Sequence, residues 1–188
     1  MAQDSKNTRG FFGIGAESIS KPMNMGALMR TAHAFGASFT FSVAAAQKVR
    51  DVYRSDTSRS FEHVPYYEWA SAEEMQLPKG CMLIGIELID EAVELPSFRH
   101  PASAAYILGR ERGSLSPEML KRCSHVVQIP TKFCVNVGLA GAIVMYDRMI
   151  STRTFSPRPI MPGGPKGREI SGVADNRQRH PADEPDDD

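Results

Sequence analysis

The chain has 188 residues, 41% of them hydrophobic, with 22 basic residues balancing 22 acidic ones. That size and composition fit one core-forming domain, and a net charge of zero excludes a protein that holds nucleic acid by overall basicity. Three scattered cysteines, Cys81, Cys123 and Cys134, exclude a disulfide framework or a zinc-finger spacing, and no run of about 18 apolar residues is present to span a bilayer.

Taken in chain order, short apolar runs alternate with helical patterns. Residues 11–15 read as a buried strand, followed by a helix from Asn24 to Phe35. Residues 38–43 alternate polar and aromatic side chains, as a half-buried strand does. Segment 47–59 is charged and fits either helix or loop. Residues 63–69 contain Pro65, which favours an edge strand or an irregular connection. Ser71 is expected to open a short helical stretch. Residues 81–86 and 104–108 read as strands. Ser116-Pro117-Glu118 has the form of a helix start, with proline at the first position and an acid in the first turn. A strand at 126–129 precedes a long helix over about 136–151. This alternation predicts an α/β fold with a mostly parallel sheet and helices on both faces. The folded domain is expected over residues 1–154 and a flexible tail, rich in proline and glycine and then acidic, over 155–188. The first part carries 17 basic and 15 acidic residues and the tail 5 and 7.

Three segments carry the chemistry. In Asn24-Met25-Gly26-Ala27-Leu28-Met29-Arg30-Thr31-Ala32-His33-Ala34-Phe35-Gly36, Asn24 suits an N-cap and Gly36 a left-handed C-terminal position. Met25, Leu28, Met29, Ala32 and Phe35 form a helical apolar stripe. Arg30 projects opposite it, where a guanidinium can meet a phosphate or carboxylate. In the second segment, Leu108-Gly109-Arg110-Glu111-Arg112-Gly113-Ser114 ends a strand in a turn. Gly109 allows close backbone approach. Glu111 is either a ligand-orienting carboxylate or an exposed partner of Arg110 or Arg112. In the third, Ile129-Pro130-Thr131-Lys132-Phe133-Cys134-Val135-Asn136 leads into the last helix, with Asn136 as its cap. Parallel sheets bind ligands beyond the carboxyl ends of their strands, so segments 85–87, 109–113 and 130–136 are expected on one rim. The last helix is apolar nearly all round, which calls for cover on two sides, by its own sheet and by either a partner subunit or complete burial. Basic clusters at Lys48, Arg50, Arg54 and Arg59, and at Arg110 and Arg112, are either RNA contacts or a solvated surface.

The three segments, in this order, resemble the three motifs of the SpoU/TrmH RNA ribose methyltransferases. The first follows the pattern Asn-x-Gly-Ala-x-x-Arg-Thr-Ala-x-x-Phe-Gly throughout. The second departs after Glu111, where Gly113 falls one place early and Ser114 stands where glycine is usual. In the third, Cys134 and Gly138 replace serines, Val135 replaces leucine, and the loop after Pro130 is about three residues shorter. The resemblance implies a SPOUT-type fold with a C-terminal trefoil knot and a homodimer formed through the last helix. It implies S-adenosylmethionine bound mainly by backbone groups, with contacts at Ile86, Gly109, Ile129, Cys134 and Val135. It further implies methyl transfer to a ribose 2′-hydroxyl of tRNA, or else of rRNA. Arg30 would be catalytic, and Asn24, Glu111 and Asn136 would position the reactants. No metal is implied, and a cytoplasmic location is expected. Two other classes compete: a non-catalytic RNA-binding relative, and a nicotinamide or flavin oxidoreductase suggested by Gly13-Ile14-Gly15.

Overall fold

The computed structural model describes residues 10–46, 62–110, 113–153 and 155. Seven strands form one sheet in the order β3-β2-β1-β6-β4-β7-β5. They are β1 (Phe12–Glu17), β2 (Phe39–Val43), β3 (Tyr66–Trp69), β4 (Met82–Ile86), β5 (Val93–Glu94), β6 (Ala104–Leu108) and β7 (His125–Gln128). Every pairing is parallel. The helices are α1 (Pro22–Phe35), α2 (Pro117–Arg122) and α3 (Val137–Thr152). The expected parallel α/β architecture is therefore present, with β3 at the edge as Pro65 suggests. The two-residue β5 has no counterpart among the predicted elements. Segment 47–59, with its four basic residues, lies outside the described residues, as do Glu111, Arg112, Thr154 and everything after Phe155.

The strand period of two sorts the core into two layers. Ala104, Tyr106 and Leu108 of β6 point to one face, where α1 contributes Met25, Leu28 and Met29 and α3 contributes Val144 and Met145. Ala105 and Ile107 point to the other, with Phe39, Phe41 and Leu83, beneath Met119 of α2 and Met75. The glycines of β1 serve this packing. A Cβ on Gly13 would lie 2.3 Å from the Phe39 ring, and one on Gly15 would lie 2.2 Å from the Phe41 carbonyl oxygen. Gly13-Ile14-Gly15 is thus strand interior that admits two aromatic rings, and α1 begins only at Pro22. A dinucleotide fingerprint needs its glycines in the turn that opens the helix.

Two local expectations are corrected. Helix α1 starts two residues before Asn24: Lys21 holds the N-cap position without a side-chain bond and Pro22 is the first helical residue. The proline supplies a preset φ at a place where no N–H is needed, so Asn24 becomes the third helical residue. At the other end Gly36 adopts φ 76°, and the next N–H, of Ala37, reaches back to the Ala32 carbonyl at 2.9 Å, closing the helix as foreseen. The stretch opened by Ser71 forms a turn and not a helix. The carbonyls of Ala72 and Met75 accept from the Arg122 guanidinium, and that cross-chain clamp replaces helical bonding. Ser116 behaves as predicted: its Oγ accepts from the Met119 N–H at 3.1 Å and caps α2.

α3 is held against α1 by small residues near its start and to the sheet by a buried polar network at its far end. A Cβ on Gly141 would lie 2.3 Å from Leu28, and one on Gly138 3.2 Å from Ala27, so these glycines set the approach of α3 to α1. Near the amino edge of the sheet, His100 Nε2–H donates to Asp147 at 2.9 Å and its Nδ1 accepts from the Tyr106 hydroxyl at 2.6 Å. Arg148 donates to Tyr106 at 3.1 Å and to the carbonyls of Pro101 and Ala102 at 2.6 and 2.8 Å. Each buried donor thus meets an acceptor, which avoids a cost of about 1–3 kcal/mol per orphaned group. Burial holds His100 below its ordinary pKa, outweighing the opposing pull of Asp147. A histidine with a depressed folded pKa takes up its proton more readily when unfolded. Its contribution to stability is complete above about pH 6.5 and is lost as the pH falls below that value. The melting temperature should therefore fall between pH 7 and pH 5.5, and His100→Asn should flatten that part of the profile in a thermal melt series.

Candidate active site

The carboxyl ends of the parallel strands meet at one rim. There β4, β6, β7 and the start of α3 enclose a small, partly open cleft of about 90 Å³. Its apolar lining includes Ile86, Leu108, Ile129, Val135, Val137 and Ala140, with Glu87, Arg110 and Thr131 as polar members. The mixture of apolar walls with a few polar groups is typical of small-molecule sites. All five residues expected at a cofactor site, Ile86, Gly109, Ile129, Cys134 and Val135, line this cleft. They come from three segments far apart in sequence.

Asn136 caps α3: its Oδ1 accepts from the Gly138 N–H at 2.9 Å. Its Nδ2 donates to Oδ1 of Asn24 at 3.1 Å. The two asparagines of the first and third segments thus touch, with Asn136 between the cleft-lining residues Val135 and Val137. Capping and positioning are combined in one side chain, because an amide has both an acceptor and a donor end. Thr131 ties the loop before the helix by donating to the Phe133 carbonyl at 2.9 Å, and Cys134 is exposed.

Arg30 is exposed on α1 and is not among the residues lining the cleft. Because β1 and β2 are parallel, α1 must run back from the carboxyl edge, and six residues carry Arg30 about 9 Å along the axis from Asn24. Glu111, the fourth candidate, lies outside the described residues.

Sequence reasoning named segment 85–87 as rim but did not single out Glu87. Its Oε2 accepts from the Leu115 N–H at 2.7 Å and its Oε1 from the Leu88 N–H at 3.0 Å. Glu17, at the end of β1, grips the next residue: Ser116 donates its N–H at 2.7 Å and its hydroxyl at 2.6 Å. Two carboxylates therefore hold consecutive peptide groups at the end of the loop that contains Glu111. A Cβ on Gly109 would stand 3.1 Å from Glu87 Oε2 and 3.2 Å from the Leu115 nitrogen. The space left by that glycine is what lets this bond form. A signal was available in sequence, an acid directly after a buried strand, but its partner 28 residues away was not.

A family model, the SpoU rRNA Methylase family, matches residues 12–146. The chain belongs to that family. Among curated SpoU-type relatives, mouse tRNA (guanosine(18)-2′-O)-methyltransferase TARBP1 is 28% identical over 143 residues, covering 71% of this chain and 9% of the relative. The Escherichia coli K12 tRNA (guanosine(18)-2′-O)-methyltransferase is 24% identical over 136 residues, covering 70% and 59%. The chain thus spans less than two thirds of either relative. An rRNA methyltransferase from Sinorhizobium meliloti shares the fold at TM-score 0.66 and 20% identity, over 74% of this chain and 56% of that one. The SpoU methyltransferase AviRb of Streptomyces viridochromogenes, solved with AdoMet, shares it at 0.65 and 22%, over 74% and 60%.

Asn136→Ala removes the α3 cap and the link to Asn24 together. It should lower stability by about 1–2 kcal/mol, and Asn24→Ala by less, as measured by urea unfolding.

Proposed function

We propose that the chain is an S-adenosylmethionine-dependent RNA methyltransferase acting on a ribose 2′-hydroxyl, with tRNA preferred over rRNA as substrate. The observation that carries this reading is the meeting of Ile86, Gly109, Ile129, Cys134 and Val135 around one cleft, beside the bonded pair Asn24 and Asn136. Membership of the SpoU family supports it, as do the names of the curated relatives.

The residues fit the cofactor. Apolar walls suit an adenine ring, and Glu87, Arg110 and Thr131 supply acceptors and donors at the margins. Bound there, S-adenosylmethionine supplies a methyl group already activated by its sulfonium. The remaining task is alignment, which can be worth about 7–11 kcal/mol, together with stabilisation of the charge that develops on the ribose oxygen. Arg30 takes the electrostatic role. A guanidinium stays protonated near neutral pH, so it acts on the substrate phosphate and the developing alkoxide and does not serve as a base. Asn24, Asn136 and Glu111 position these groups.

A homodimer belongs to the same reading. Leu139, Ile143, Tyr146 and Ile150 follow one another at helical spacing on α3, and Leu139 and Tyr146 are 54% and 48% exposed. Met23 of α1 and Phe133, in the loop before α3, are also exposed. A second copy would cover this stripe, and it would bring an Arg30 from another chain within the assembly. The trefoil knot is the topological part of the reading. It draws support from the strand order: β7 lies between β4 and β5, although both precede it in the chain. Free thiols at all three cysteines suit a reducing cytoplasm.

Incubation with radiolabelled S-adenosylmethionine and total tRNA, followed by nucleoside mapping, tests the activity. The expected product is a 2′-O-methylated nucleoside. Cofactor and RNA binding without any transfer would instead identify a non-catalytic relative. Arg30→Ala should lower the transfer rate by about 100-fold or more while leaving cofactor affinity, measured by calorimetry, within twofold of wild type. Leu139→Glu should convert a particle of twice the 20.7 kDa chain mass into a monomer in sedimentation equilibrium.

A further inference from the structure

We propose that Glu87 is a cofactor-binding residue that accepts hydrogen bonds from the ribose hydroxyls of the bound nucleoside. This rests on the cleft being a cofactor site, and adds to it a side-chain contact where the family resemblance implies mainly backbone groups.

Glu87 follows β4 at the carboxyl edge, and its own N–H continues the ladder to the Val127 carbonyl at 3.0 Å. The backbone at this position is therefore fixed by the sheet. The side chain is fixed as well, because each carboxylate oxygen accepts one backbone N–H, from Leu88 and from Leu115. An ionised carboxylate has about four acceptor positions, so two remain after these bonds. The residue lines the cleft together with Gly109, whose missing side chain leaves room for the bond between Leu115 and Oε2. The cleft thus presents a preorganised pair of acceptor oxygens flanked by apolar walls. The complementary ligand feature is a pair of neighbouring uncharged donors, which in a nucleoside is the vicinal diol of the ribose. An acid placed beyond a parallel strand meets ribose hydroxyls in this way in dinucleotide-binding sheets.

Glu17 supplies the comparison. It grips the same loop one residue later, but it does not line the cleft. A purely structural role for Glu87 would make the two glutamates behave alike.

The test is calorimetric binding of S-adenosylhomocysteine and its 2′-deoxy analogue to the full chain and to its Glu87→Gln and Glu17→Gln variants. Thermal melts accompany each titration. Wild type should prefer the ribose form by about tenfold or more. Glu87→Gln should lose most of that preference, with similar losses for the charged donor S-adenosylmethionine and the neutral product. Glu17→Gln should lower the melting temperature while keeping the preference for the ribose form. The inference is overturned if Glu87→Gln retains the full preference. It is equally overturned if only the sulfonium form loses affinity, which would assign the carboxylate to the donor's charge. If wild type binds neither ligand, the methyltransferase reading falls with it.

Discussion

The hold of two strand-end carboxylates on one loop organises the carboxyl edge of this sheet. Glu17 and Glu87 come from β1 and β4, which flank β6 on either side. The loop they grip is the one that leaves β6. Loops ordinarily carry the mobility of a parallel α/β fold. Here Leu115 and Ser116, at the end of that loop, are tied to both neighbouring strands through bonds to carboxylates of 2.7 Å and less, a class about twice as strong as neutral ones when charge-assisted. Ser116 extends the chain of dependence, because the hydroxyl that donates to Glu17 also accepts from Met119 and caps α2. The end of the loop that follows β6 is thereby fixed to the sheet on both sides.

The α3 side of the cleft depends on how closely that helix approaches α1. Gly138 and Gly141 permit that approach, and the Asn24–Asn136 bond is its polar signature. A serine at position 138 would bring its Cβ to 3.2 Å from Ala27 and to 3.3 Å from the capping oxygen of Asn136. The glycine there, where the third motif has serine, is therefore matched to the local packing of this chain. The hydroxyl it lacks is not replaced by Cys134, since a thiol is a weak donor. Backbone groups and Thr131 remain as the polar members of that wall.

The fold was largely legible because its signals are local. Strand runs, the Ser116-Pro117 start, the Asn136 cap and the Gly36 stop each depend on neighbours within a few residues, and each stands where it was expected. The misses share a different cause. Asn24 has the right chemistry for a cap, but Pro22 offers an earlier start with φ already fixed, and the competition is decided by the turn before the motif. Ser71 has the pattern of a helix start, but Arg122 takes the carbonyls that a helix would use. The β5 strand is two residues long and exists only because β7 offers it an edge. Of the site, the cleft lining was legible from motif positions. The role of Glu87 was not, because its meaning comes from Leu115 and from space vacated by Gly109.

The two edges of the sheet spend their polar groups differently, and this separation bears on function. At the amino edge the donors and acceptors of His100, Tyr106, Asp147 and Arg148 are matched among themselves and to nearby carbonyls, and Arg148 also stacks over Phe12 at 5.2 Å. Burial pushes the Tyr106 hydroxyl up and the His100 imidazole down in pKa, which favours the neutral form of both near neutral pH beside Asp147 and Arg148. At the carboxyl edge the valence is only partly used. Glu87 lines the cleft, Asn136 is exposed despite its two bonds, and Arg30 is exposed on the helix beside it. The closed network under the far end of α3 anchors the helix by its last turns, while Asn136 caps its first turn and joins it to α1.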